Sequence, residues 1–282
     1  MQVISRIPEK AVEVVLIDNG SVDNTCEVIK LWKAQVSFPV HYVFEGRTGL
    51  AIARNTGIRA SSGNVMVFTD DDCVLRSDYL QVLNRYCEQD TDLIMRGGRV
   101  ELGDPTDQPF TIKLGNNTIR MSAMDRPDGF IIGANMAMKR ALMDKIGLFD
   151  ERFGAGAVFK AAEETDYIYR VFRAGFPVEY VPDLIVQHFH GRKDLNSIHR
   201  MNYGYQMGGG AVYAKYIFDK KLLRHFYWDI KRYVYLFLFD RKLLDNPLGI
   251  SYGMGLLATA KGILLYGLEN LRHHLRIPRY HL

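Results

Sequence analysis

The hydrophobic pattern of this chain changes twice along its length. In the first part, short apolar runs alternate with segments of helical period. Val12 to Ile17 is almost unbroken and ends at Asp18-Asn19-Gly20. Ser21 then reads as the cap of a helix to about Gln35, with Val28, Ile29 and Trp32 at helical spacing. Pro39 to Phe44 reads as a strand, Gly49 to Ala60 as a short helix, and Asn64 to Asp70 as the next strand. Ser77 is placed to cap a helix through Cys87. Strands that are apolar nearly throughout, alternating with helices, predict an α/β fold with a mainly parallel sheet flanked by helices on both faces.

The middle of the chain continues less regularly. Leu93 to Leu102 and Phe130 to Met138 read as strands, and Ala141 to Ile146 as a short helix stopped by Gly147. Glu164 to Ala174 reads as a helix with Ile168, Val171 and Phe172 on its apolar face, and Val178 to His188 as extended chain. From about Arg200 the pattern is purely helical. Leu222, Leu223, Phe226, Tyr227, Ile230, Tyr233, Val234 and Phe237 share one face, and Leu256, Leu257, Ala260, Leu264, Leu268, Leu271 and Leu275 share another. Neither stretch holds twenty uninterrupted apolar residues, so no membrane span is expected. The two segments read either as core-packing helices or as an amphipathic anchor lying in a membrane surface. The expected division is residues 1–195 and a helical, basic, amphipathic region over 196–282.

Charge follows that division. Residues 1–191 hold 21 Lys/Arg against 26 Asp/Glu, and residues 192–282 hold 15 against 6. A basic tail can face anionic lipid; nucleic acid is not expected as a partner. Cys26, Cys73 and Cys87 have no zinc spacing, and so sparse a set suggests a reducing compartment, hence the cytosol. Met1 to Lys10 has no apolar core of a signal peptide.

The chemistry concentrates in Val67-Phe68-Thr69-Asp70-Asp71-Asp72-Cys73. Three carboxylates at the end of a buried strand repel one another, by about 0.7 kcal/mol per pair at 6 Å in water and more at a protein surface. A divalent cation would offset that repulsion, and a phosphate-bearing ligand is its usual companion. In α/β sheets ligands bind beyond the carboxyl ends of strands, where both Asp18 and this triplet stand.

Seven segments in one order carry a family resemblance: VVLIDNGSVDNT (14–25), GLAIARNTGIRASSG (49–63), VFTDDDC (67–73), GANMAMKR (133–140), GLFDERFG (147–154), EETDYIYRVFRAGF (163–176) and VPDLIVQH (181–188). Together they resemble a family 2 glycosyltransferase of the GT-A fold, which is Rossmann-like. The resemblance covers about residues 12–190. It implies inverting transfer of a sugar from a nucleotide-sugar donor, with a UDP, dTDP or GDP leaving group, to a glycan, lipid-linked or small-molecule acceptor. It implies Mg²⁺ or Mn²⁺ as cofactor, with Asp72 as direct ligand, Asp70 at the ribose or the metal's water shell, and His188 as a further ligand. Asp71 is included in the donor-binding stretch. Asp18 corresponds to the aspartate that accepts from the donor base, Arg54 to an arginine near base and ribose, and Asn135 to a contact with a donor-sugar hydroxyl. Glu164 corresponds to the catalytic base, with Glu163 and Asp166 as alternates. Phe149-Asp150-Glu151 would shape the acceptor side, and His190 and Arg192 would support His188.

Two departures qualify the resemblance. Glu164 stands where the family usually has aspartate. The family also begins with a strand and helix ahead of the segment at Val12, and Met1 to Arg6 reads only as the end of that helix. A sheet lacking this first strand is expected to fold poorly or be inactive. These departures keep a second reading open, a non-catalytic nucleotide-sugar-binding or scaffold protein. A third, a phosphoryl or nucleotidyl enzyme, shares only the aspartate cluster. The location implied is cytoplasmic, peripheral at the inner face of the cell membrane.

Overall fold

The structure is a computed structural model, and it describes residues 12–239, 248 and 251–275. The expected helix end over Met1 to Arg6 lies outside the described residues, as does Arg276. In chain order the elements are β1 (Val14–Asp18), α1 (Thr25–Lys33), β2 (Val40–Phe44), α2 (Leu50–Ala60), β3 (Val65–Phe68), β4 (Cys73–Leu75), α3 (Tyr79–Gln89) and β5 (Met95–Leu102). There follow β6 (Ile119–Arg120), β7 (Met136–Lys139), α4 (Arg140–Ile146), α5 (Glu163–Arg173), β8 (Val178–His188), α6 (Leu195–Lys215), α7 (Lys220–Phe239) and α8 (Tyr252–Leu275). The chain divides into two compact units, one running up to Ala157 and resuming over Glu163–Lys193, the other comprising Val158–Ala162 and the chain from Asp194.

The first unit is a three-layer α/β arrangement. Its larger sheet runs β3-β7-β5-β8-β4, with β6 also paired to β8. The sheet is mixed: β5 and β8 are parallel, whereas β3, β5 and β8 meet β7, β4 and β6 in antiparallel ladders. Side chains alternate across it with the two-residue period of a strand. Met66, Met136, Met138 and Tyr180 enter one apolar cluster with Tyr167, Ile168 and Val171 of α5. Val65, Val67, Ala137 and Val186 enter the other with Tyr79, Val82 and Leu83 of α3. The apolar run from Phe130 is strand only from Met136. Phe130 and Ile131 are buried in a turn instead, against Gly97, where a Cβ would overlap the Ile131 side chain.

β1 and β2 form a separate parallel pair. Among the described residues no ladder joins β1 to β3, and four of the five β1 residues are only half-buried. The sequence predicts a fully buried strand there; among the described residues its apolar side chains have no neighbouring strand on one edge. α1 begins four residues after Ser21, because Ser21 to Asp23 serve a turn. The Ser21 N–H donates to Asp18 Oδ1 (2.9 Å), and the Thr25 N–H to Asp23 Oδ1 (3.1 Å). Gly147 (φ 84°) and Gly175 (φ 84°) end α4 and α5 in the left-handed region that glycine enters without a Cβ clash.

The second unit packs α6 against α8 at backbone distance. A Cβ at Gly210 would overlap the Thr259 carbonyl, and one at Gly262 the Met207 carbonyl. α7 is tied by Tyr213 Oη, which donates to Asp229 Oδ2 (2.6 Å), and by Phe226 against Tyr213. Leu222 is its one fully buried residue. Tyr227, Trp228, Tyr235, Phe237, Leu238 and Phe239 are exposed. No described helix is long and apolar enough to cross a membrane.

Candidate active site

The loop after β3, the end of β8 and helices α2 and α5 build the site. The edge position of β3 lets the chain leave the sheet after Phe68 and turn through Asp70 and Asp71; the Cys73 N–H donates to the Asp70 carbonyl (3.2 Å) and starts β4. β4 then pairs antiparallel with the end of β8, with Cys73 directly opposite His188. That pairing brings His188 Nε2 to 3.2 Å from Asp72 Oδ1. One donor atom each from Asp70, Asp72, Cys73 and His188 lie within 4.8 Å of one another. Asp71 is exposed on the turn and is not among them.

The electrostatics separate the two outer aspartates. His188 holds the Asp72 carboxyl below the usual carboxylate range by its hydrogen bond, against the effect of burial. Burial pushes Asp70 up, and the Asp72 charge adds to this, while Arg54 opposes it. Burial and the same two carboxylates push the Cys73 thiol up to about 12. Two carboxylates, an imidazole and a thiol suit a divalent cation. His188 is 6% exposed, and its Nδ1 has no hydrogen-bond partner among the described residues. A buried orphaned ring nitrogen costs about 1–3 kcal/mol unless a ligand satisfies it. Nε2, the ring nitrogen facing Asp72, completes a donor set whose chemistry fits a metal.

Arg54 joins this cluster to α5. It is buried between Glu163, whose Oε1 accepts from Nη1 at 2.7 Å, and Asp70, whose Oδ1 lies 3.8 Å from Nη2. Gly133 makes room for it, since a Cβ there would lie 2.7 Å from Nη2. Arg54 is thus engaged with the acidic residues of the site. Glu164 is half-buried beside Glu163. Burial, then the Glu163 charge, push its carboxyl up to about 8, with Arg54 pulling it down.

Other expected residues separate from this group. Asp166 is fully buried; its Oδ2 accepts from Arg170 Nε (3.0 Å), and Arg170 in turn caps the Ile146 and Leu148 carbonyls. It ties α5 to the end of α4, its carboxylate taken up by that ion pair. Asn135 is fully buried, with every polar atom engaged. Oδ1 accepts from Tyr79 Oη (2.7 Å), and Nδ2 donates to the Arg99 and Leu184 carbonyls (2.9 Å each). It fills the register shift between β5 and β8 at Gly98/Arg99, so the expected contact with a donor sugar is not available to it. Phe149 is core, stacked on Tyr167 at 4.3 Å, and not an acceptor surface.

Asp18 stands apart, at the end of β1. It accepts from Ser21 N–H and from Tyr42 Oη (2.8 Å), and the Ser21 hydrogen bonds hold its carboxyl below the usual range despite its burial. It remains a charged acceptor with lone pairs to spare. His190 is buried behind His188, with ring centroids 5.3 Å apart. Its Nδ1 accepts from Arg192 N–H, and Nε2 faces the Gln108 carbonyl (3.1 Å), which fixes the loop after β8. The residues missed by sequence reasoning are Cys73 and Tyr42. Cys73 follows the triplet directly, and its pairing with His188 is visible only in the sheet register.

The profile of glycosyl transferase family 2 matches residues 2–147, more than half of the chain. The chain belongs to glycosyl transferase family 2. It is 24% identical to glycosyltransferase AglE of Haloferax volcanii over 183 residues, which are 64% of this chain and 58% of AglE. The chain thus matches less than two thirds of that relative's length. Two solved structures share the GT-A fold. Mannosyltransferase PcManGT of Pyrobaculum calidifontis, in complex with GDP-Man and Mn²⁺, has TM-score 0.57 and 21% identity, with 92% of this chain and 71% of that chain covered. TarS 1-349 of S. aureus, in complex with UDP-GlcNAc, has TM-score 0.53 and 13% identity, with 97% and 86% covered.

Proposed function

We propose that this protein is an inverting, divalent-metal-dependent glycosyltransferase that uses a nucleoside-diphosphate sugar. The observation that carries the reading is the assembly of Asp70, Asp72 and His188 next to the Arg54–Glu163 pair and Glu164. Asp72 and His188 would hold Mg²⁺ or Mn²⁺, with Asp70 beside them. A bound cation supplies charge stabilisation for the departing diphosphate. Asp18 offers an acceptor to an N–H of the donor base. Glu164 takes the proton of the acceptor hydroxyl as its oxygen bonds to the anomeric carbon and the bond to the diphosphate breaks. One displacement inverts the configuration, and no covalent intermediate is needed. A carboxyl near 8 is well placed for this, since a general base works best with a pKa near the working pH. Arg54 pairs with Glu163, opposes the rise that burial imposes on the Asp70 carboxyl, and moderates the rise at Glu164.

PcManGT carries GDP-Man and TarS carries UDP-GlcNAc, which supports testing both nucleotides here. The acceptor is a glycan or lipid-linked hydroxyl. Exposed Tyr227, Trp228 and Phe239 beside Lys220, Lys221, Arg224, Lys231 and Arg232 support peripheral contact with an anionic membrane on its cytoplasmic side. The test is transfer and donor hydrolysis with UDP-, GDP- and dTDP-sugars and Mn²⁺, compared with Asp72→Ala. Turnover of one donor, lost in Asp72→Ala, supports the reading. The separate β1–β2 pair favours a second reading, a donor-binding protein without turnover; metal-dependent donor binding with no product would establish it.

A further inference from the structure

We infer that Cys73 is a thiolate ligand of the same cation, so that this site prefers thiophilic divalent metals to Mg²⁺. The inference rests on the metal-dependent reading above and deepens it. The argument begins with register. Residues directly opposite in an antiparallel ladder project from the same face, with Cβ atoms about 5 Å apart. Cys73 and His188 are such a pair, at the end where β4 meets β8. Their donor atoms and those of Asp70 and Asp72 fall within 4.8 Å of one another, and Cys73 Sγ lies 3.7 Å from Asp72 Oδ1.

His188 adds to the set from the facing strand. It is buried, and Nε2 lies 3.2 Å from Asp72 Oδ1, so that edge of the ring is the one placed to ligate. Two carboxylate oxygens, an imidazole nitrogen and a sulfur form the mixed set that favours Zn²⁺, Co²⁺ or Cd²⁺, whereas Mg²⁺ selects oxygen alone. On coordination the S–H bond breaks, its proton passes to the buffer, and the sulfur lone pair forms the bond to the metal. No redox change is involved.

The test is a Co²⁺ titration of the full chain, read by absorption. The expected result is a near-ultraviolet sulfur-to-cobalt charge-transfer band that disappears in Cys73→Ser, while the visible ligand-field bands persist. Cys26 and Cys87 remain in that variant, so a band that survives there overturns the inference. Cd²⁺ affinity should fall in Cys73→Ser by at least about 10-fold, the loss seen even for outer-shell partners, with Mg²⁺ affinity unchanged. Should the variant fail to fold, alkylation of the wild-type thiols decides: Cd²⁺ protects Cys73 and Mg²⁺ does not, and equal labelling with both overturns the inference. Co²⁺ bound without a charge-transfer band removes Cys73 but leaves metal-dependent transfer standing. Absence of Co²⁺ binding to the wild type removes both.

Discussion

In the proposed mechanism Glu164 is the residue on which the chemistry turns. Its carboxyl is pushed up to about 8 by burial and by Glu163, so at neutral pH most of it is protonated and idle. The base form accumulates as pH rises, so kcat/KM should rise through about pH 8 and level off above it. Glu164→Gln should lower kcat by about 10²–10⁴-fold, the usual contribution of a general base, with little change in donor affinity. A pH–rate profile on the wild type and single-turnover kinetics on the variant check both. Arg54 has a different signature. Arg54→Ala leaves Glu163 buried without its cation, and should destabilise by about 3–5 kcal/mol in chemical denaturation. Asn135→Ala should lower stability by about 1–3 kcal/mol through its unpaired partners, yet leave donor KM unchanged. The aspartates and His188 were legible in the sequence because each stands where an apolar run ends. The Arg54–Glu163 pair was not, since 109 positions separate its members. Asn135 was misread because a polar residue in a small-residue stretch resembles a ligand contact. Only the bulge between β5 and β8 explains it.

At the scale of elements, β1, β2, α2, β8 and the short helix before Gly147 follow closely from periodicity and stop signals. The failures have physical causes. α1 starts late because Asp18 draws Ser21 into a turn. α6 lies in the region 196–282 expected to be helical, but its own bounds are not readable there, because Gly204 and the run Gly208-Gly209-Gly210 argue against a helix, at about 1 kcal/mol each relative to alanine. Close approach to α8 offsets that cost. Gly210→Ala should therefore destabilise the second unit by about 1–3 kcal/mol despite its better helix propensity, because the added methyl meets backbone rather than a yielding side chain. Slower amide exchange in α6 of the variant would contradict this.

For the molecule as a whole, the charge division is the feature that composition reveals and contacts do not explain. The acidic body carries the site, and the basic tail carries exposed aromatic residues. Sedimentation with anionic vesicles should retain the protein at low salt and release it progressively as salt rises; Trp228→Ala should weaken retention. Equal retention on neutral vesicles would remove the electrostatic part of this picture. The interruption between β1 and the larger sheet concerns the whole first unit, because Asp18 stands on one side of it and the Asp70–Asp72 cluster on the other. In the proposed reading, donor binding engages both sides at once.

The most direct measurement is therefore product formation from a panel of UDP-, GDP- and dTDP-sugars with Mn²⁺, comparing the wild type with Glu164→Gln and with the chelated protein. The account predicts turnover of one donor by the wild type alone, with donor still bound by Glu164→Gln. Turnover by Glu164→Gln at the wild-type rate, or turnover unaffected by chelation, would contradict it.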